Sequence, residues 1–294
     1  MAMRSWLFVP GDSDKKLSKA LDCGADAIIV DLEDSVAEEN KAFARSFAGK
    51  WLTTHRQQIA AGRSSARWVR INALDTPHWR ADLEAVLPGA PDGVMLPKAS
   101  GPEAVQQLAA ELYELEQRNG IASGTTRILP LVSETPAAAL GIAAYAGTAM
   151  PRLAGLTWGA EDLSSAIGAS RKRDASGGWT DLFRLVRAQC LLTAHARGVM
   201  AIDTLYADFR DEAGTRRAAE EARADGFAGM LAIHPAQVAI INQAFEPSEA
   251  ERAEAEAVIA AFAANPGAGT LQIDGRMIDR PHLVLARRLL GLDG

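Results

Sequence analysis

The chain has 294 residues, 48% hydrophobic and 23% charged, and its 31 Lys and Arg against 37 Asp and Glu give a net charge of −6. With no lysine-arginine block, that acid excess argues against nucleic-acid binding, and apolar runs no longer than a strand argue against a membrane span. Cys23 and Cys190 stand in no metal spacing and no signal peptide is visible, so a reducing cytoplasm is the expected compartment.

A beat of apolar strand, polar strand end and helix recurs along the chain. Ser5–Pro10 reads as the first strand, and the turn Gly11-Asp-Ser-Asp14 leads into a helix ending near Cys23-Gly24. Residues 27–33 form the second strand, with Asp31, Glu33 and Asp34 crowding its end and a helix from about Glu38. The third and fourth are residues 67–72 and 93–98, and Gly101-Pro-Glu opens a helix running to about Asn119-Gly120. Residues 127–134 and 155–162 form a matched pair, each a short apolar run ending on a carboxylate where a helix begins. A polar loop, 171–178, and a helix over about 181–197 precede the seventh and eighth strands, 199–204 and 229–235. Eight such units, apolar along their strands as buried parallel strands are, predict a (β/α)₈ barrel, an α/β fold of about 250 residues. A doubly wound sheet is the competing layout, but no Gly-x-Gly-x-x-Gly follows the first strand.

The expected barrel covers residues 1–246, and residues 247–294 form a C-terminal helical extension or lid. Pro247-Ser-Glu-Ala-Glu251 reads as a capping box opening a long helix. Asn265-Pro-Gly-Ala-Gly269 breaks it, and residues 271–279 lead to a last helix near residues 281–290.

In a barrel, catalytic groups collect at the C-terminal ends of the strands. Here those ends carry Asp31, Glu33, Asp34, Arg70, Asn72, Lys98, Glu134, Asp162, Asp203 and His234. Acids that close repel one another. A divalent cation, with Arg70 and Lys98, resolves the conflict, and the remaining positive field favours a substrate with its own carboxylate. Arginine offers a planar two-point donor for such a group. If residues 127–134 and 155–162 are neighbouring parallel strands, Glu134 and Asp162 emerge side by side, and two hard oxygen ligands beside open space suit Mg²⁺. A lone acid at a strand end is more often a helix cap than a ligand; Asp203 and Asp31 fit that description, and Glu134 before Thr-Pro could simply begin a helix. His234-Pro235 reads as structural or a pocket wall. His55, His78, His195 and His282 form no ligand spacing, which argues against zinc, and no Gly-x-Ser-x-Gly points to a serine hydrolase.

These residues resemble the HpcH/HpaI aldolase and citrate lyase β-subunit superfamily, most closely its malyl-CoA and citramalyl-CoA lyase branch. The matching stretches are Leu7-Phe-Val-Pro-Gly11, Asp31-Leu-Glu-Asp-Ser-Val36, Val69-Arg-Ile-Asn72, Leu96-Pro-Lys98, Glu134-Thr-Pro136, Trp158-Gly-Ala-Glu-Asp162, Ala232-Ile-His-Pro235 and Met277-Ile-Asp279, in the superfamily's order. The resemblance implies a TIM barrel assembling as a homotrimer or a multiple of one, with Mg²⁺ held by Glu134 and Asp162. It implies that Arg70 meets the substrate's carboxylate or carbonyl oxygen, that Glu33 and Asp34 hold metal waters and that arginine, and that Phe8 and Lys19 lie near the CoA moiety. Asp279 matches an acid of the C-terminal lid, which in relatives covers the site of the same or an adjacent subunit. This chain has Asp12-Ser13 where many relatives place an arginine, and Asp34 where the free-acid aldolases typically place a histidine base.

The reaction so implied is reversible cleavage of a 3-hydroxyacyl-CoA thioester, such as malyl-CoA, β-methylmalyl-CoA or citramalyl-CoA, to acyl-CoA plus glyoxylate or pyruvate. Asp279 is the candidate for proton transfer at the enolate carbon, against an alternative role as N-cap of the last helix. The rivals are a citrate lyase β subunit acting with an acyl carrier protein, and a non-catalytic barrel relative.

Overall fold

The computed structural model describes residues 3–59 and 65–292, without the side chains of residues 55–59. The chain divides into two compact units, one through Phe245 and one from Glu246 onward.

The first unit contains eight parallel strands: β1 (Ser5–Pro10), β2 (Ala27–Asp31), β3 (Ala66–Arg70), β4 (Gly93–Leu96), β5 (Arg127–Pro130), β6 (Gly155–Thr157), β7 (Met200–Asp203) and β8 (Gly229–Ala232). Their order in the sheet is β5-β4-β3-β2-β1-β8-β7-β6. Between β5 and β6 the ladder thins to two parallel bridges, Ile128 with Leu153 and Leu131 with Thr157, which bring the two edges of the sheet together. The result is the (β/α)₈ barrel that the spacing of apolar runs predicts.

Alternation along each strand builds two separate cores. Trp6, Ile29, Trp68, Met95, Leu129, Ile202 and Leu231 point inward and pack on one another, with no helix residue among them. Their neighbours Leu7, Ile28, Val30, Val69, Val94 and Ile128 point outward against the helices. Strands apolar on both faces are therefore required by the architecture. The indoles of Trp6 and Trp68 pack against each other at a tilt of 60°, with centroids 5.0 Å apart. A Cβ at Gly93 would fall 2.3 Å from the Trp68 ring, so this glycine is demanded by space inside the barrel.

The strands end earlier than the apolar runs suggest. β2 stops at Asp31 and β6 at Thr157, so Glu33, Asp34 and Asp162 sit beyond the ladder. Asp162 lies in the first turn of the helix Ala160–Ala166.

The second unit holds the helix Glu249–Ala264, the antiparallel hairpin β9 (Thr270–Ile273) and β10 (Arg276–Asp279), and the helix Arg280–Leu289. Ser248 and Glu251 form the expected capping box: the Ser248 hydroxyl accepts from Glu251 N at 3.2 Å, and Glu251 Oε2 accepts from Ser248 N at 2.8 Å. The hairpin turns at Asp274 and Gly275, both with positive φ, the backbone that a two-residue type I′ turn needs. Ala255, Val258, Ile278 and Ala286 make a small core of their own.

Candidate active site

Asp31 and Arg70 are register partners across β2 and β3. Arg70 Nε and Nη2 donate to Asp31 Oδ1 and Oδ2, both at 2.7 Å. Asp31 also accepts from the backbone N–H groups of Glu33 and Ser35. Burial alone would raise the Asp31 pKa, but the Arg70 guanidinium and these hydrogen bonds outweigh it and hold the carboxyl below its ordinary range. Asp31 is therefore more than a loop cap: it fixes the arginine. The two-point face of Arg70, which the sequence reserves for a substrate carboxylate, is taken by Asp31. Arg70 Nη1 lies 3.0 Å from Glu33 Oε2. Asp31 takes two of the five N–H donors of the guanidinium, and the contact with Glu33 is one of charge rather than a hydrogen bond. The Arg70 plane rests 4.7 Å above the centroid of Phe8.

Lys98 ties the remaining acids together. Its φ of +49°, unusual for a non-glycine residue, accompanies two simultaneous contacts. The Lys98 backbone N–H donates to Glu134 Oε2 and its ammonium to Glu33 Oε1. The same ammonium stands 3.4 Å from Asp34 Oδ1 and 3.9 Å from Asp162 Oδ1. Burial works against the charged lysine, but Glu33, Asp34 and Glu134 outweigh it and raise its pKa. Glu33, 5% exposed, is pushed up by burial, with Asp34 adding to the rise and Arg70 and Lys98 opposing it.

Glu134 is 4% exposed. It does not cap the following helix, because Thr135 does so by accepting from Ala138 N at 3.2 Å. Burial first, and then the charges of Glu33 and Asp162, push its pKa up to about 8, against the Lys98 hydrogen bond and Arg70. Arg70 is matched by Asp31, so the Lys98 ammonium is left facing Glu33, Asp34, Glu134 and Asp162. That surplus of carboxylate oxygen is the donor chemistry a hard divalent cation takes. Among the described residues no group of three or more His, Cys, Asp or Glu is arranged as a metal site. Glu134 and Asp162 are two carboxylates that could hold an ion which keeps several of its waters.

The other strand-end groups are structural. Asp203 accepts from Trp158 Nε1 at 2.7 Å and pairs with Arg187 at 2.8 Å. The Asn72 side chain bonds Leu32 O and Asp82. His234 caps the helix Pro235–Ala244, accepting from Ala236 N, and stacks on Phe209. His78 pairs with Glu38, and His195 meets Gly226 O; the side chain of His55 lies outside the described residues. Lys19 is exposed in the last turn of the helix Asp14–Ala20, and among the described residues no hydrogen bond joins it to the cluster. Asp279, in the second unit, is the N-cap residue of the helix Arg280–Leu289, and its Oδ1 lies 2.6 Å from His282 Nδ1. Beside Glu33, Asp34 and Lys98 opens a cavity of about 700 Å³, further lined by Asn72, Thr76 and His78.

The sequence assigns no role to two further contributors, although Gly159 lies within the stretch Trp158-Gly-Ala-Glu-Asp162. Ser133 and Gly159 hydrogen-bond each other beside Glu134, and only the β5–β6 seam brings them together.

The family model of HpcH/HpaI aldolase/citrate lyase matches residues 4–235. The chain is 37% identical over 293 residues to a (3S)-malyl-CoA thioesterase of Cereibacter sphaeroides, covering 98% of this chain and 93% of that one. It is 34% identical over 300 residues to the mitochondrial citramalyl-CoA lyase of Rattus norvegicus, covering 98% and 85%. The crystal structure of CitE from Mycobacterium tuberculosis with magnesium, acetoacetate and coenzyme A superposes with a TM-score of 0.80 at 35% identity, covering 99% and 98%.

Proposed function

The chain belongs to the HpcH/HpaI aldolase/citrate lyase family, and from that premise we propose that it is a magnesium-dependent carbon–carbon lyase acting on a 3-hydroxyacyl-CoA thioester that also carries a carboxylate. Malyl-CoA, β-methylmalyl-CoA and citramalyl-CoA are the substrates in view, with acyl-CoA and glyoxylate or pyruvate as products. The observation that carries this reading is the meeting of Glu134, Asp162 and Glu33 around Lys98, with Arg70 on the other oxygen of Glu33, at one mouth of the barrel.

Glu134 and Asp162 would hold the ion. When bound, magnesium would supply Lewis-acid charge to the oxygen that becomes the carbonyl of glyoxylate or pyruvate. Arg70, held by Asp31 and backed by Phe8, directs its remaining N–H donors at the same developing charge. Because its partners fix it before substrate arrives, little reorganisation is needed during bond breaking. Lys98 holds Glu134 in place through its backbone and keeps the mouth attractive to an anionic substrate through its ammonium. Asp279 gives a proton to the enolate carbon in cleavage, while the proton of the substrate hydroxyl leaves to solvent as that oxygen becomes the carbonyl; condensation runs both transfers in reverse. Phe8 and Lys19 are assigned to the CoA end of the substrate.

The test is incubation of the purified chain with malyl-CoA and citramalyl-CoA, with Mg²⁺ or with a chelator, resolving thioesters and trapping the keto acid. Acetyl-CoA with equimolar glyoxylate or pyruvate, formed only with Mg²⁺, is the expected result. Activity that survives chelation overturns the reading. A second reading draws on the thioesterase name of the relative 37% identical to this chain. It calls for free CoA and malate in the same assay. Turnover of CoA thioesters by the isolated chain excludes a strict requirement for an acyl carrier protein.

A further inference from the structure

We propose that Ser133 is a positioning residue: its buried hydroxyl replaces the missing last rung between β5 and β6 and so sets the spacing of Glu134 and Asp162. The proposal rests on the assignment of those two carboxylates to magnesium.

The β5–β6 seam is held by two separated bridges rather than by a continuous ladder. Its backbone bonds run Ile128 N to Arg152 O, Ala154 N to Ile128 O and Val132 N to Thr157 O, at 2.8–2.9 Å. Among the described residues no backbone bond crosses the seam beyond Val132. Yet the two acids leave the barrel just there, Glu134 two residues after Val132 and Asp162 five after Thr157. An unpaired pair of chain ends would leave their separation loose.

Ser133 closes this gap. Its Oγ accepts from Gly159 N at 3.0 Å and donates to Gly159 O at 3.3 Å. A hydroxyl carries one donor and two acceptor sites, so one small side chain serves both backbone groups of Gly159. Ser133 is 0% exposed. Gly159 has an ordinary φ of −119°, so backbone freedom does not call for glycine there. Space does: a Cβ would sit 3.1 Å from Glu134 Cγ, tight enough that the glutamate would have to shift. On the far side, Trp158 is anchored by its indole N–H to Asp203, which Arg187 holds in turn. The residues just before the helix that carries Asp162 are thus fixed from β7 on one side and from Ser133 on the other. Residues that orient metal ligands commonly change metal affinity by 10–100-fold when removed.

Calorimetric Mg²⁺ titration of the whole chain, wild type against Ser133→Ala and Gly159→Ala, tests this, with Mg²⁺-activation curves for turnover and amide hydrogen exchange over residues 158–162. We expect Mg²⁺ affinity to fall about tenfold in each variant. The Mg²⁺ concentration for half-maximal turnover should rise in step, while turnover at saturating Mg²⁺ approaches wild type. Exchange at Gly159 should quicken in Ser133→Ala. A uniform loss of turnover that excess Mg²⁺ does not restore marks a merely structural role and overturns the proposal. So does unchanged affinity in both variants of a wild type that binds Mg²⁺. A wild type that binds no Mg²⁺ overturns the metal assignment itself, and the proposal with it.

Discussion

Asp31 grips Arg70 through both carboxylate oxygens at 2.7 Å, from directly across the β2–β3 ladder. The pair is almost fully buried, with side-chain exposures of 2% and 12%. Removing one partner of such a pair leaves an uncompensated buried charge, which costs about 3–5 kcal/mol. Asp31→Ala should therefore lower stability by about that amount in urea unfolding. Asp31→Asn, which retains one acceptor, should fold with a smaller loss yet turn over malyl-CoA or citramalyl-CoA at least about tenfold more slowly, because Arg70 loses its fixed direction. Wild-type turnover in a folded Asp31→Asn would remove this pair from the mechanism.

Glu134 carries the cost of the cluster. Its pKa is raised to about 8 by burial and by Glu33 and Asp162. Between its ordinary value and 8 the folded chain holds a proton that the unfolded chain releases, so this group makes stability fall as pH rises through that window. Metal-free wild type should lose on the order of 3 kcal/mol from this group between pH 5 and pH 8. Glu134→Gln should flatten the loss, melting higher than wild type at pH 8 while giving no heat with Mg²⁺. A Gln variant less stable than wild type at pH 8 would contradict the assignment.

Glu116 works in the opposite sense. It is fully buried and accepts from Arg152 through both oxygens at 2.7–2.8 Å, and from Thr126 N and Gly124 N. Burial would raise its pKa, but Arg152 and the two backbone donors outweigh it and hold it down to about 2. Its stabilisation is complete above about pH 4.5 and is lost as pH falls toward 2, on the order of 3 kcal/mol. Acid unfolding of Glu116→Gln should begin from lower stability and show a shallower dependence across pH 4.5 to 2. Parallel curves for the two proteins would count against the pair.

Asp279 can be separated from metal binding. Asp279→Asn should lower turnover by about 10²–10⁴-fold while leaving Mg²⁺ titration at wild-type affinity. His282→Ala, which removes the partner 2.6 Å from Asp279 Oδ1, should lower turnover less than Asp279→Asn does, again with wild-type Mg²⁺ affinity. Near-normal turnover in Asp279→Asn would leave that residue only its place as N-cap.

Strand order and chemical inventory were legible from residues alone. Apolar runs recurring with a polar end and a helix start dictate the βα beat, because strands buried on both faces cannot alternate. Glu33, Arg70, Lys98, Glu134 and Asp162 stood out because acids and bases at strand ends gather at one mouth. What the residues alone could not decide was who meets whom. Asp31 read as a cap until the β2–β3 register set it against Arg70, and a register is fixed by packing across strands nearly 40 residues apart. Ser133 and Gly159 had no readable role, although both lie in stretches the sequence singles out, since a serine and a glycine matter here only for a two-way hydrogen bond and a 3.1 Å clearance that closure of the barrel creates. Composition and periodicity act through neighbours along the chain and so set the elements. The site is made by contacts between elements, and those exist only once the barrel has closed.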